Sequence, residues 1–228
     1  MANVIELKGV DKIYTGLVDT QVLFDIHLSF EEGSFNSIVG ESGSGKSTLL
    51  NIIGTLDKPT RGEVLIDGNR TNNLSKGKLA EIRNRTIGFI FQFHYLLPEF
   101  TAMENVLMPY NIGRKNSPKS IASRADELFD LLGIARVKNN MANRMSGGQQ
   151  QRTAIARALI NNPKIIVADE PTGNLDSENT ATIYKIFREL NQQFGTTFLV
   201  VTHDRRIAEE ADRIVEIKDG RIIADVNR

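Results

Sequence analysis

The run Gly40-Glu41-Ser42-Gly43-Ser44-Gly45-Lys46-Ser47-Thr48 carries the spacing G-x-x-x-x-G-K-[ST]. Glycines at these positions let the backbone bend tightly, so that successive N–H groups point inward at a chain of phosphates. A helix starting at Lys46 adds the positive end of its dipole. Lys46 then neutralises β- and γ-phosphates, the Ser47 hydroxyl ligates Mg2+, and Thr48 hydrogen-bonds the α-phosphate. Downstream, Asp169 and Glu170 close the apolar run 165–168. A carboxylate ending a buried parallel strand lies at the ligand-binding edge of such a sheet. Asp169 suits a metal contact, and Glu170, one residue on and pointing elsewhere, suits polarising an attacking water. Ser146-Gly147-Gly148 opens the helix before that strand, and a serine hydroxyl with glycine amides at a helix start is another anion site. Standing alone, it would be no more than an ordinary serine N-cap.

These residues need a particular frame. Val22, Phe24, Ile26, Leu28 and Phe30 alternate with more polar neighbours, the period of a half-buried strand. A second strand ends at Ile38 and Val39, and a helix follows over 46–53. The segment 62–66 leads into the tight turn Asp67-Gly68, and 87–91 forms another strand. From 97 onward the texture becomes helical. Thr101 and Glu104 have capping-box spacing; Ala125, Leu128, Phe129 and Leu132 recur at helical intervals and stop at Gly133. Another helix starts near Gly148 and ends before Pro163. After the strand 165–168, a helix over 177–194 carries Ile183, Ile186, Phe187 and Leu190 on one face. A strand over 197–202 and a hairpin around Asp219-Gly220 complete the chain. The predicted architecture is an α/β core over 1–96 and 162–228 with a helical lobe inserted over 97–161.

Met145-Ser146-Gly147-Gly148-Gln149 resembles the LSGGQ signature of the ABC ATPases, with methionine where leucine is usual. The two side chains are similar in size, so packing should survive. The resemblance covers nearly the whole chain. It implies the ABC fold, a P-loop core with an N-terminal antiparallel β-subdomain and an inserted α-helical subdomain. It also implies ATP with Mg2+ and a homodimer in which Ser146, Gly147 and Gly148 of one copy serve the nucleotide of the other. Further positions match in order. Gln92 corresponds to the Q-loop residue contacting Mg2+ and the γ-phosphate region. Asp176, in Gly173-Asn174-Leu175-Asp176, belongs to the D-loop, His203 is the switch histidine, and Tyr14 is the aromatic that stacks on adenine. Glu170 is retained, so the resemblance implies a working hydrolase.

Within that family, 56–64 and 155–159 look typical of the branch holding the lipoprotein-releasing, macrolide-efflux and division-linked ATPases. The stretch Gln92-Phe93-His94-Tyr95-Leu96-Leu97-Pro98-Glu99-Phe100-Thr101 looks most like the lipoprotein-releasing members, whereas Gln149-Gln150-Gln151-Arg152 reads more like the macrolide group. The same stretch is apolar for a loop; its side chains either receive a membrane permease or pack the lobe onto the core. The branch implies a place at the cytoplasmic face of the inner membrane, held through an integral membrane permease.

Bulk properties narrow the classes. Lys plus Arg and Asp plus Glu are 28 each, without the basic surplus of a duplex-DNA binder, so nucleic acid is not expected as a partner. There is no cysteine, which excludes disulfides, thiolate metal sites and cysteine nucleophiles. The first residues lack the pattern of an export signal, and no apolar run is long enough to span a bilayer. DNA-maintenance ABC ATPases, the rival class, carry a long coiled-coil insertion or zinc-binding cysteines; neither is present here.

Overall fold

The computed structural model describes residues 2–113, 118–203 and 208–228. In chain order it runs β1 (Asn3–Tyr14), β2 (Thr20–Glu31), β3 (Phe35–Val39), α1 (Lys46–Ile53), β4 (Arg61–Ile66), β5 (Asn69–Arg70), α2 (Lys76–Thr86) and β6 (Ile87–Phe91). Then follow α3 (Ala102–Gly113), α4 (Pro118–Leu131), α5 (Gly147–Leu159), β7 (Ile165–Asp169), α6 (Ser177–Phe194), β8 (Thr197–Val201), β9 (Arg213–Lys218) and β10 (Arg221–Asn227). One sheet is antiparallel, in the order β2-β1-β4-β5; the other has the order β10-β9-β3-β8-β7-β6. Its members β9 to β6 pair in parallel and only β10 joins antiparallel.

Alternation along the parallel strands feeds two apolar layers. Ile166 and Ala168 of β7 face Phe35, Phe198, Phe187 and the lobe residues Val106, Leu128 and Phe129. Ile165 and Val167 face α1 and the antiparallel sheet, including Leu49, Ile52, Ile5 and Phe30. Strands buried on both faces read as continuous apolar runs, which is why 165–168 and 197–201 stand out in the sequence.

The helix ends follow the predicted chemistry. Thr101 N–H donates to Glu104 Oε2 (2.8 Å) and Glu104 N–H to Thr101 Oγ1 (3.2 Å), the reciprocal cap of α3. Gly133 takes φ 65° after α4, a left-handed turn that glycine adopts without penalty. Met145 is 7% exposed within the lobe layer, so the methionine fills the leucine position.

Two features depart from the sequence reading. The alternation of β2 holds at Ile26, Leu28 and Phe30, then reverses at Asp25: Leu23 is the next buried residue, while Val22 and Phe24 are only half-buried. Asp25 has φ 48°, and its N–H donates to Asp11 Oδ1 (2.9 Å), which also accepts from Gln21 Nε2 (3.1 Å). One extra residue at such a bulge moves every upstream side chain to the opposite face. The other is α2, absent from the sequence reading. Only Leu79 of it is buried, so it has no apolar face to find; the Ser75 hydroxyl starts it by accepting from Lys78 N–H (3.4 Å). Among the described residues, no helix is long and apolar enough to cross a membrane.

Candidate active site

The turn between β3 and α1 is built on backbone that only glycine tolerates. Gly40, Gly43 and Gly45 have φ of 156°, 79° and 107°. A Cβ on Gly40 would lie 2.2 Å from the Ile217 carbonyl, and one on Gly45 would lie 2.9 Å from Leu23 Cδ2. The loop is therefore pressed between β2 and β9, and the Ser44 N–H closes a turn within it on the Glu41 carbonyl (3.2 Å). Lys46 is 8% exposed, and its ammonium donates to the carbonyls of Gly40 (2.8 Å) and Glu41 (2.7 Å), so the loop holds its own cation across its mouth.

This turn forms one wall of a cleft of about 480 Å³. Ser42, Gly43, Gly45, Lys46, Ser47 and Thr48 line it, and Gln92, Asp169, Glu170 and His203 arrive from the ends of three neighbouring parallel strands. The sheet order places β6, β7 and β8 side by side, so their C-terminal residues converge on the edge that α1 also meets. Val22 and Val201 complete the lining. Sequence reasoning missed both; Val22 reaches the cleft only because the Asp25 bulge turns it away from the core.

The polar groups are mutually arranged. Burial pushes the Asp169 carboxyl above the usual carboxylate range, opposed by a hydrogen bond from Ser47 and the charge of Lys46. A cation at this spot would reverse the burial penalty. Ser47, Asp169 and Gln92 offer hydroxyl, carboxylate and amide oxygens, a hard donor set that suits Mg2+ and leaves positions for phosphate oxygens and water. The buried Ser44 hydroxyl has no hydrogen-bond partner among the described residues, a further group awaiting an acceptor in the loop. The residues present thus fit a metal-bound polyphosphate.

Glu170 sits in a left-handed conformation, φ 46°, with its N–H on the Val201 carbonyl (3.0 Å) and its Oε2 2.9 Å from His203 Nδ1. Its side chain is 21% exposed against 74% for His203, so the histidine covers the carboxylate from the solvent side. Gln92 donates to Asn174 Oδ1 (3.4 Å) and accepts at its main-chain carbonyl from Asn174 Nδ2 (3.1 Å), which ties the end of β6 to the loop before α6.

Other predicted site residues lie outside the cleft. Tyr14 donates to Asp57 Oδ2 (3.1 Å), with the Lys12 ammonium 4.7 Å from its ring centre. Ser146 caps α5: its hydroxyl accepts from Gln149 N–H (3.4 Å), and its own N–H donates to Gln149 Oε1 (3.0 Å). Gly147 and Gly148 lie against Leu175 and Asn179 at the start of α6, and Asp176 accepts from Asn179 N–H (2.8 Å) as the cap of α6. One chain therefore presents a lysine-bearing cleft and a separate glycine-bearing helix tip.

Comparison with known proteins agrees. A family model described as ABC transporter matches residues 23–173. The lipoprotein-releasing system ATP-binding protein LolD 1 of Rhodopseudomonas palustris is 50% identical over 224 residues, covering 97% of this chain and 99% of that protein. LolD of Anaeromyxobacter dehalogenans is 50% identical over 222 residues, covering 97% and 93%. Among solved structures, the dimeric bacterial ABC transporter cassette MJ0796 aligns with a TM-score of 0.90 at 46% identity over 98% of both chains. The same cassette, in a dimeric post-hydrolysis state bound to ADP and Pi, gives 0.90 at 45%. With half of its residues shared along almost its full length, and its phosphate-binding turn at the expected edge of the sheet, the chain belongs to the ABC transporter family and is one of its ATPases.

Proposed function

We propose that the chain is the ATP-hydrolysing subunit of a lipoprotein-releasing transporter, working as a pair of copies against a separate membrane permease. The observation that carries this reading is the division of labour within one chain: Lys46, Asp169, Glu170, Gln92 and His203 share a cleft, while the tip at Ser146 stands apart on α5. A γ-phosphate bound by Lys46 of one copy and by Ser146, Gly147 and Gly148 of its twin holds the pair together. Asp176 caps α6 beside that tip and Tyr14 ends β1; we assign them contacts across the pair and with adenine respectively. The LolD relatives support lipoprotein as the cargo. The 228 residues act as a single nucleotide-binding domain, core 1–96 and 162–228 with lobe 97–161.

Each step then falls to a named side chain. Lys46 exchanges the Gly40 and Glu41 carbonyls for phosphate oxygens, and Thr48 takes the α-phosphate. Ser47, Asp169 and Gln92 would hold Mg2+, which would neutralise charge on the transferring phosphoryl group. Glu170 orients the attacking water, and His203 keeps that carboxylate in place and reads the γ-phosphate. On the outer surface, Phe93, Tyr95, Leu97 and Phe100 are 41–65% exposed, whereas Leu96 packs into the lobe layer. Tyr95 also borders an apolar cleft of about 500 Å³ between core and lobe, with Phe91, Met108 and Ile112. These residues support permease docking there, at the cytoplasmic face of the inner membrane.

Replacing Glu170 with Gln tests the assignment. The variant should bind ATP, lose at least about a hundredfold in turnover, and elute as a dimer with Mg-ATP. Hydrolysis at the parent rate would overturn the role of Glu170.

A further inference from the structure

We infer that His94 and Gln151 are positioning residues for hydrolysis: together they form a hydrogen-bonded bridge that fixes the Glu170–Pro171 turn to the segment following Gln92. Glu170 and Tyr95 both have φ 46°, a left-handed conformation costing a non-glycine residue about 1 kcal/mol or more. Such conformations persist only where the surroundings hold them. Both are held from α5. Gln151 is 0% exposed, and its Nε2 donates to the Pro171 carbonyl, directly after Glu170. With that nitrogen committed to a carbonyl, Oε1 must face His94, so His94 Nδ1 carries the hydrogen and donates to it. Arg157 closes the other end, donating from Nη2 to the His94 carbonyl (2.7 Å) and from Nη1 to the Tyr95 carbonyl (2.6 Å).

Neither His94 nor Gln151 lines the cleft that contains Lys46. Their effect on the reaction passes through what they hold, the Glu170–Pro171 turn on one side and the segment after Gln92 on the other. The bonds from Gln151 to Pro171, from His94 to Gln151 and from Arg157 to the His94 carbonyl all lie in buried or half-buried surroundings, and the bond to the Tyr95 carbonyl extends the chain to the surface. A displacement of the 93–97 segment is therefore carried to the carboxylate that orients water. This inference rests on the role proposed above for Glu170.

The test uses the full chain with His94→Phe, which keeps an aromatic ring but loses the donor, and His94→Asn, which keeps an N–H in the Nδ1 position. ATP hydrolysis is measured for each, and Mg-ATP-induced dimerisation is measured for each in the Glu170→Gln background. His94→Phe should lower kcat about tenfold with KM for ATP within about twofold, leave the dimer intact, and be largely rescued by His94→Asn. Parent-like turnover in His94→Phe would overturn the inference. So would loss of the dimer, or an Asn variant as slow as the Phe variant. Failure of the Glu170 assignment is seen separately, as hydrolysis by Glu170→Gln alone.

Discussion

Gly173 offers a way to move one cleft residue without touching it. A Cβ at this position would lie 2.7 Å from Gln92 Nε2, 3.0 Å from its Cδ and 3.2 Å from its Cγ. Ordinary contact begins near 3.4 Å, so Gly173→Ala should push the amide by about 0.7 Å, the shortfall of the closest contact. The atoms struck belong to the end of a flexible side chain, and Gly173 is not among the glycines with positive φ, so the backbone accepts alanine. The bond from Gln92 to Asn174 is already long at 3.4 Å, and its loss costs less than about 1 kcal/mol. We expect Tm to fall by no more than about 3 °C. Activity should respond more sharply, because a group that helps hold the metal and phosphate is displaced by most of an ångström: kcat should fall about tenfold. The assay is Mg2+-dependent ATP hydrolysis on parent, Gly173→Ala, Gln92→Ala and the double variant, each paired with thermal unfolding. With Gln92 already truncated there is nothing to strike, so adding Gly173→Ala should change the rate by less than about twofold. An unchanged kcat in Gly173→Ala, or an equal fall in the Gln92→Ala background, would refute the reasoning.

Two stability predictions accompany it. Gly88→Ala would place a Cβ 2.5 Å from both the Ala158 carbonyl and Ile166 Cδ1, forcing β6 off α5; calorimetry should show about 2 kcal/mol of destabilisation and a Tm lower by about 6 °C. Arg188 donates to both carboxylate oxygens of Asp212 (2.8 and 2.5 Å), and this pairing holds the carboxyl below its usual range. A depressed folded pKa stabilises above the unfolded value of about 3.9 and loses that contribution as pH falls through the folded value. The side chains are 35% and 53% exposed, so Asp212→Asn should cost only about 0.5 kcal/mol at neutral pH. Urea titrations of parent and variant should converge as pH falls below the usual aspartate range.

The cleft was legible where the chemistry is encoded in adjacent residues. Only glycine serves at Gly40, Gly43 and Gly45, and Ser146 followed by two glycines marks the start of α5. The doubly buried strands were legible for a related reason, since both faces demand apolar side chains. What could not be read depended on partners distant in sequence. The reversal of β2 requires the Asp11 carboxylate from β1, and nothing in the alternation of 22–30 announces it. Gln151 reads as one of three polar glutamines, yet its full burial follows from the Pro171 carbonyl and the His94 ring. The pairing of His203 with Glu170 likewise joins residues 33 apart, from the ends of neighbouring strands. α2 escaped notice because a cap and surface charges, not an apolar stripe, hold it in place.

The reversal at Asp25 makes the strand behave like a reading frame. Downstream of it, Ile26, Leu28 and Phe30 are counted from the core; upstream, Leu23 and Val22 are counted from the nucleotide side. Excising Phe24, or adding one residue between Leu23 and Asp25, would exchange those two destinations, driving Val22 inward and Leu23 toward the phosphates. Hairpins transplanted from other cassettes must therefore preserve the count from the bulge as well as the similarity of the residues.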